Sequence, residues 1–247
     1  MLYLSMFRLP VFYLLVLTSI AGGVFGQAKQ TAEAFEKPIE TTLKLNYLLS
    51  LPEGYENTDK ATKWPLVIFL HGAGERGDNL DVVKKHGPPK LVEAGRKFPF
   101  ILVSPQCPKN GWWTEQPVLE LLDDLEKGYR VDADRIYLTG LSMGGYGTWH
   151  FSAKAPGRFA AVAPVCGGGV PYLTRSLKSM PVWAFHGAKD SVVPLNESER
   201  LIKVIESNGN ENAKLTVYPE ANHDSWTAAY NTDELYEWLL SQRRIVK

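Results

Sequence analysis

Hydrophobic positions along the 247-residue chain fall into short unbroken runs separated by longer stretches with helical spacing. Residues 66–70, Leu-Val-Ile-Phe-Leu, are apolar at every position, as expected of a strand covered on both faces in a parallel sheet. Further buried strands are predicted at 100–104, 135–139, 160–165, 182–186 and 214–218, and an alternating strand at 42–51 is stopped by Pro52 and Gly54. Between them, 116–129 places Val118, Leu121, Leu122 and Leu125 on one helical face. Helices are also predicted at 143–155, 195–207 and 225–243. Strands alternating with helices predict an α/β fold with a mostly parallel central sheet and helices on both faces.

The N-terminus departs from that pattern. After a single basic residue, Arg8, positions 9–25 are nearly continuously apolar and run into the small residues around Gly26 and Ala28. Seventeen apolar residues are short of the roughly 20 that span a bilayer, so the segment reads as a cleaved signal peptide over 1–26. A single catalytic domain then covers 27–247, and the expected location is secreted or periplasmic, with no stable membrane insertion after cleavage. The whole chain balances 27 basic against 27 acidic residues, and removing 1–26 leaves 26 against 27. Neither that balance nor any dense basic cluster offers the positive stripe that phosphate backbones require, so no nucleic-acid partner is expected.

Candidate chemistry centres on Gly140-Leu141-Ser142-Met143-Gly144, where a predicted strand meets a predicted helix. A serine at such a turn is pushed out of the sheet, and its neighbours two residues away must lack a bulky Cβ. The hydroxyl is a weak nucleophile and needs a base oriented by an acid, which in this arrangement follow in the order serine, acid, histidine. Of the five histidines, only His223 lies beyond Ser142 and every candidate acid. Asp190 is the sole aspartate between them and follows the 182–186 strand. Glu197, Glu199, Glu206, Glu211 and Glu220 are weaker by position, on a helix or flanking the next strand. The expected oxyanion donors are the backbone N–H groups of Met143 and of Ala73, with Gly74 as the alternative to Ala73.

The motifs Leu70-His71-Gly72-Ala73-Gly74-Glu75-Arg76-Gly77-Asp78-Asn79, Gly140 to Gly145, His186-Gly187-Ala188-Lys189-Asp190 and Asn222-His223 resemble the α/β-hydrolase superfamily. Within it, the chain is similar to the secreted serine esterases: dienelactone-hydrolase-like, polyhydroxybutyrate-depolymerase-like, and the feruloyl and acetyl-xylan esterases of carbohydrate esterase family one. The resemblance implies an α/β-hydrolase fold, triad roles for Ser142, Asp190 and His223, and no cofactor. It also implies a small-molecule or polysaccharide-borne ester as substrate. A prolyl-oligopeptidase-like serine peptidase and a catalytically silent binding protein are the alternatives.

Other residues carry competing readings. Trp112 and Trp113 could form an aromatic wall for substrate or simply pack their loop. Trp226 could brace the base loop, and Glu75 and Arg76 could pair to stiffen the oxyanion loop or be solvated surface charges. His71 and His186 read as structural hydrogen-bonders, and His86 and His150 carry no catalytic part. The histidines lack ligand-pair spacing and the two cysteines lie 59 residues apart, so no metal site is expected. Cys107 and Cys166 follow strands that two others should separate, which predicts two buried, unpaired thiols.

Overall fold

The computed structural model describes residues 30–244. The proposed signal segment therefore lies outside the described residues. Residues 30–41 contain no helix or strand, and the folded unit runs from Thr42.

Seven strands form one sheet: β1 (Asn46–Ser50), β2 (Trp64–Leu70), β3 (Ile101–Gln106), β4 (Val131–Leu141), β5 (Ala161–Val165), β6 (Val182–Gly187) and β7 (Ala213–Tyr218), in the order β1-β3-β2-β4-β5-β6-β7. Only β1 is antiparallel, on the edge beside β3. The other neighbours are parallel, so the carboxyl ends of β2 to β7 share one edge of the sheet.

The apolar runs are what permit two covering layers. In β2, Leu66, Ile68 and Leu70 enter one buried cluster while Val67 and Phe69 enter the other. Helices α1 (Gly87–Glu93), α2 (Glu115–Gly128), α3 (Met143–Lys154), α4 (Pro171–Thr174), α5 (Asn196–Ser207), α6 (Trp226–Asn231) and α7 (Asp233–Ser241) supply the layers. Val118, Leu122 and Leu125 of α2, Trp149 and Phe151 of α3 and Leu201 and Ile205 of α5 pack on the first face. Tyr230 of α6 and Leu235, Tyr236 and Leu239 of α7 pack on the second.

Two expectations need correction. The closing helix predicted over 225–243 is broken at Thr232, whose φ/ψ of −84°/118° is extended. The Thr232 hydroxyl donates back to the Ala228 carbonyl at 3.0 Å, an alternative partner of the kind that ends helical turns. No helix was predicted over 87–93, where α1 forms from Gly87-Pro88-Pro89 onward. Proline is nonetheless at home in a first turn, where its missing N–H has no helical acceptor to lose.

Candidate active site

Ser142 sits between β4 and α3 with φ 52° and ψ −115°, a strained conformation for a residue with a side chain. The surroundings hold it there. Its N–H donates to the Val165 carbonyl at 3.0 Å, and its carbonyl accepts the Tyr146 N–H at 3.0 Å. A Cβ added at Gly140 would collide with the Gly144 carbonyl, and one at Gly144 would collide with the Leu70 carbonyl. The turn closes only because both positions are glycine.

The structure brings Ser142, Asp190 and His223 together. His223 Nδ1 lies 2.8 Å from Asp190 Oδ2, and His223 Nε2 lies 2.9 Å from Ser142 Oγ. A carboxylate only accepts, so the proton is on Nδ1 and the bare Nε2 accepts the serine hydroxyl. The other carboxylate oxygen, Asp190 Oδ1, accepts the N–H groups of Val192 and Val193 at 2.9 Å each. The Asp190 side chain is fully buried, whereas the His223 ring retains an exposed edge. With Oδ1 held by two backbone donors, Oδ2 is left to face the His223 ring.

Asn222 was quoted in the sequence only as the neighbour of His223, and the structure gives it a task. Its side-chain oxygen accepts the His223 N–H at 2.9 Å and the Ser191 N–H at 3.1 Å. Gly187 lets the two loops meet, since a Cβ there would run into the Ala221 and Asn222 carbonyls.

The expected oxyanion donors flank the serine. Met143 is the first residue of α3, where backbone N–H groups have no helical acceptor. Ala73 opens a single 3-10 turn, Ala73–Glu75. Among the described residues, neither N–H donates to another backbone carbonyl. A Cβ built on Gly72 would stand 3.7 Å from Ser142 Cβ, which places this loop against the serine.

The loop is strapped from below. Cys107 N–H donates to His71 Nε2 at 3.0 Å, so His71 carries its proton on Nδ1 and donates it to the Gly72 carbonyl at 2.6 Å. Burial lowers the His71 pKa from 6.5 to about 4, and the ring is a neutral strut. Arg76 does not pair with Glu75. It donates to the carbonyls of Ala73 and Gly111, at 2.9 and 3.0 Å, and so ties the oxyanion loop to the Trp112 loop. Glu75 turns inward, with His86 Nε2 3.8 Å from its carboxylate.

The tryptophan pair divides. Trp113 is 4% exposed, and its indole N–H donates to the His71 carbonyl at 3.0 Å. Trp112 is 56% exposed and stands edge-on to Tyr146 with ring centres 6.2 Å apart. Both line a mostly apolar cavity of about 220 Å³, together with Tyr146, Trp149, Gly168 and Leu173. Trp226 stands edge-on to the His223 ring at 5.2 Å and packs on His86 at 5.3 Å, so it braces the base from behind.

Spacing along the chain could not reveal that donor atoms of Cys166, Asp190 and His223 lie within 4.8 Å of one another. Burial pushes the Cys166 thiol up to about 12, which keeps it protonated. Asp190 and His223 are engaged with each other, so the group fits a packed triad better than a ligand set. Cys107 and Cys166 are both buried and free, behind strands that β2 and β4 separate.

This sheet order, the turn at Ser142 and the convergence of three loops at one sheet edge are those of the α/β-hydrolase fold, and the chain is similar to esterases of that fold. The dienelactone hydrolase family model matches residues 114–234. Among curated proteins, a bifunctional acetylxylan esterase/xylanase of Neocallimastix patriciarum is 28% identical over 160 residues, covering 60% of this chain and 22% of that protein. A probable feruloyl esterase C of Aspergillus terreus is 26% identical over 177 residues, covering 68% and 64%. The chain thus spans less than two thirds of either relative. A crystal structure of a thermostable esterase superposes with a TM-score of 0.70 at 34% identity, covering 85% of this chain and 62% of that one. A ferulic acid esterase at 20% identity, with a TM-score of 0.58, shares the fold.

Proposed function

We propose that the protein is an exported serine carboxylic-ester hydrolase that works through an acyl-enzyme, with feruloyl or acetyl esters of polysaccharides as its substrates. The observation that carries this reading is the continuous line from Asp190 Oδ2 to His223 Nδ1 at 2.8 Å and from His223 Nε2 to Ser142 Oγ at 2.9 Å. His223 takes the hydroxyl proton as Ser142 Oγ attacks the ester carbonyl carbon. The carbonyl electron pair moves onto oxygen, where the N–H groups of Met143 and Ala73 receive the charge. One such donor is typically worth about 3 kcal/mol of barrier. His223 returns the proton to the departing alkoxide, leaving the acyl group on Ser142. Water activated by the same imidazole then releases the acid, while the Asp190 carboxylate stabilises the imidazolium at both stages.

Substrate class rests on the cavity and on the relatives. Trp112 and Tyr146 offer an aromatic surface of a size suited to an aryl or sugar ring. Export rests on the apolar segment within 1–26, and one relative, from Arthroderma benhamiae, is described as a secreted protein. Among the described residues no helix is long and apolar enough to cross a membrane.

The test is hydrolysis of an aryl acetate, methyl ferulate and a proline-linked peptide amide by the 27–247 chain and its Ser142→Ala variant. Ester turnover that falls by several orders of magnitude in the variant, up to about a millionfold, supports the reading. Preferential amide cleavage would reassign the protein as a peptidase. Equal rates for both proteins would remove Ser142 from the chemistry.

A further inference from the structure

His186 is the last side chain of β6, four residues before Asp190, and it is fully buried at the carboxyl edge of a central strand. An apolar residue would suit that environment better, since a buried imidazole costs free energy unless both nitrogens find partners. Both do. Nε2 lies 2.8 Å from the Val193 carbonyl oxygen and 3.4 Å from Asp190 Oδ2, and Nδ1 lies 2.8 Å from Ser198 Oγ. A carbonyl can only accept, so Nε2 carries a proton and donates it to Val193 O, with Asp190 Oδ2 beside it at 3.4 Å but not hydrogen-bonded to it. The Ser198 hydroxyl has a second possible acceptor, the Gly167 carbonyl, at the longer distance of 3.3 Å.

Asp190 is therefore flanked by two imidazoles. Oδ2 receives His223 Nδ1–H from the solvent side and faces the His186 ring 3.4 Å away on the interior side, while Oδ1 is occupied by the two backbone donors. The terminal torsion of an aspartate is otherwise broad. With three donors on two oxygens it is confined to the plane that points Oδ2 at His223. The far side of His186 reaches α5 through Ser198 and, through Gly167, the loop whose Gly168 and Gly169 line the aromatic cavity. His186 thereby fixes Val193, whose own N–H binds Asp190 Oδ1, and that link, beside the 3.4 Å approach to Oδ2, is what points to the reaction.

We propose that His186 is a positioning residue for ester hydrolysis, holding the Asp190 carboxylate in line with His223. The proposal rests on the triad reading given above. Its test is steady-state kinetics on an aryl acetate for His186→Gln and His186→Phe, each made in the wild type and in Asp190→Asn, with folding checked by circular dichroism. Glutamine can return an N–H near the place of Nε2, whereas phenylalanine fills the space without a donor. His186→Phe should lower kcat about 10- to 100-fold with KM within about twofold, while His186→Gln stays within about fivefold of wild type. In Asp190→Asn the same Phe substitution should cost no more than about twofold, because the group it positions is gone. Unchanged kcat in a folded His186→Phe, equal losses for Gln and Phe, or the same loss in both backgrounds would overturn the proposal. Should His186→Phe fail to fold, Ser198→Ala replaces it, with a severalfold loss of kcat expected and a wild-type rate counting against the idea. Failure of the triad reading would look different, as undiminished turnover in Ser142→Ala.

Discussion

The side-chain oxygen of Asn222 accepts the backbone N–H of Ser191 at 3.1 Å, across the gap between the loop that carries Asp190 and the loop that carries His223. The same oxygen accepts the His223 N–H, so one amide fixes both loops. Two backbone bonds, from Ala188 N–H to the Tyr218 carbonyl and from Lys189 N–H to the Ala221 carbonyl, reinforce the seam but do not reach His223. Asn222→Ala should let the base drift while leaving the substrate surface intact. We expect kcat to fall roughly 10- to 100-fold with little change in KM, as misplacement on the order of an ångström commonly does. A variant with wild-type kcat would show that Trp226 packing alone holds His223.

Gly144 has no room for a side chain. The Cβ of an alanine would lie 2.5 Å from the Leu70 carbonyl carbon and closer still to its oxygen, and both belong to the centre of the sheet. Relief would require moving β2 or α3, so Gly144→Ala should cost about 4 kcal/mol or more. Denaturant titration, or the yield of folded protein, measures this. A loss below about 1 kcal/mol would mean that the elbow is looser than its contacts indicate.

The strands were legible because burial on both faces writes itself as unbroken apolar runs, and the residue 66–70 run became the core of β2. The juxtaposition of Ser142, Asp190 and His223 was legible because their order along the chain left one histidine and one aspartate to choose. What escaped was set by tertiary partners. The break at Thr232 depends on a hydroxyl turning back to Ala228. Arg76 could have paired with Glu75 or faced solvent, but its donors follow two carbonyls, one of them 35 residues away. Two adjacent tryptophans looked equivalent until one was seen to spend its N–H on His71.

That division of labour predicts opposite consequences for the two tryptophans. Trp113→Ala removes a buried ring and a buried hydrogen bond, and should destabilise the fold by about 3–5 kcal/mol. Trp112→Ala should leave stability within about 0.5 kcal/mol. It should raise KM for methyl ferulate about tenfold while changing KM for an aryl acetate little. Thermal melts and paired kinetics separate the two, and equal effects on both esters would remove Trp112 from acyl recognition.

Stability should depend on pH through His71. Its pKa is about 4 in the folded protein and near 6.5 when the chain unfolds. Between those values the unfolded state binds a proton that the folded state excludes, so stability rises with pH across the window. The contribution is complete above pH 6.5 and is lost as pH falls toward 4, a change of about 3 kcal/mol. Urea titrations at pH 7 and pH 4.5 should show the loss in wild type and a smaller one in His71→Gln. A wild-type midpoint that does not move would mean that the ring is protonated in the fold.

Ser142 should hold stability hostage to its geometry. At φ 52° and ψ −115° a side chain is strained by about 1–3 kcal/mol, and glycine at the same angles is not. Ser142→Ala and Ser142→Gly both lose the hydroxyl and its bond to His223, so the difference between them isolates the backbone. We expect both to be inactive and Ser142→Gly to be the more stable by about 1 kcal/mol, despite the greater entropy that glycine gives the unfolded chain. Denaturation of the two variants side by side provides the measurement. Were the alanine variant the more stable, the neighbouring bonds to Val165 and Tyr146 would have to hold this turn without strain.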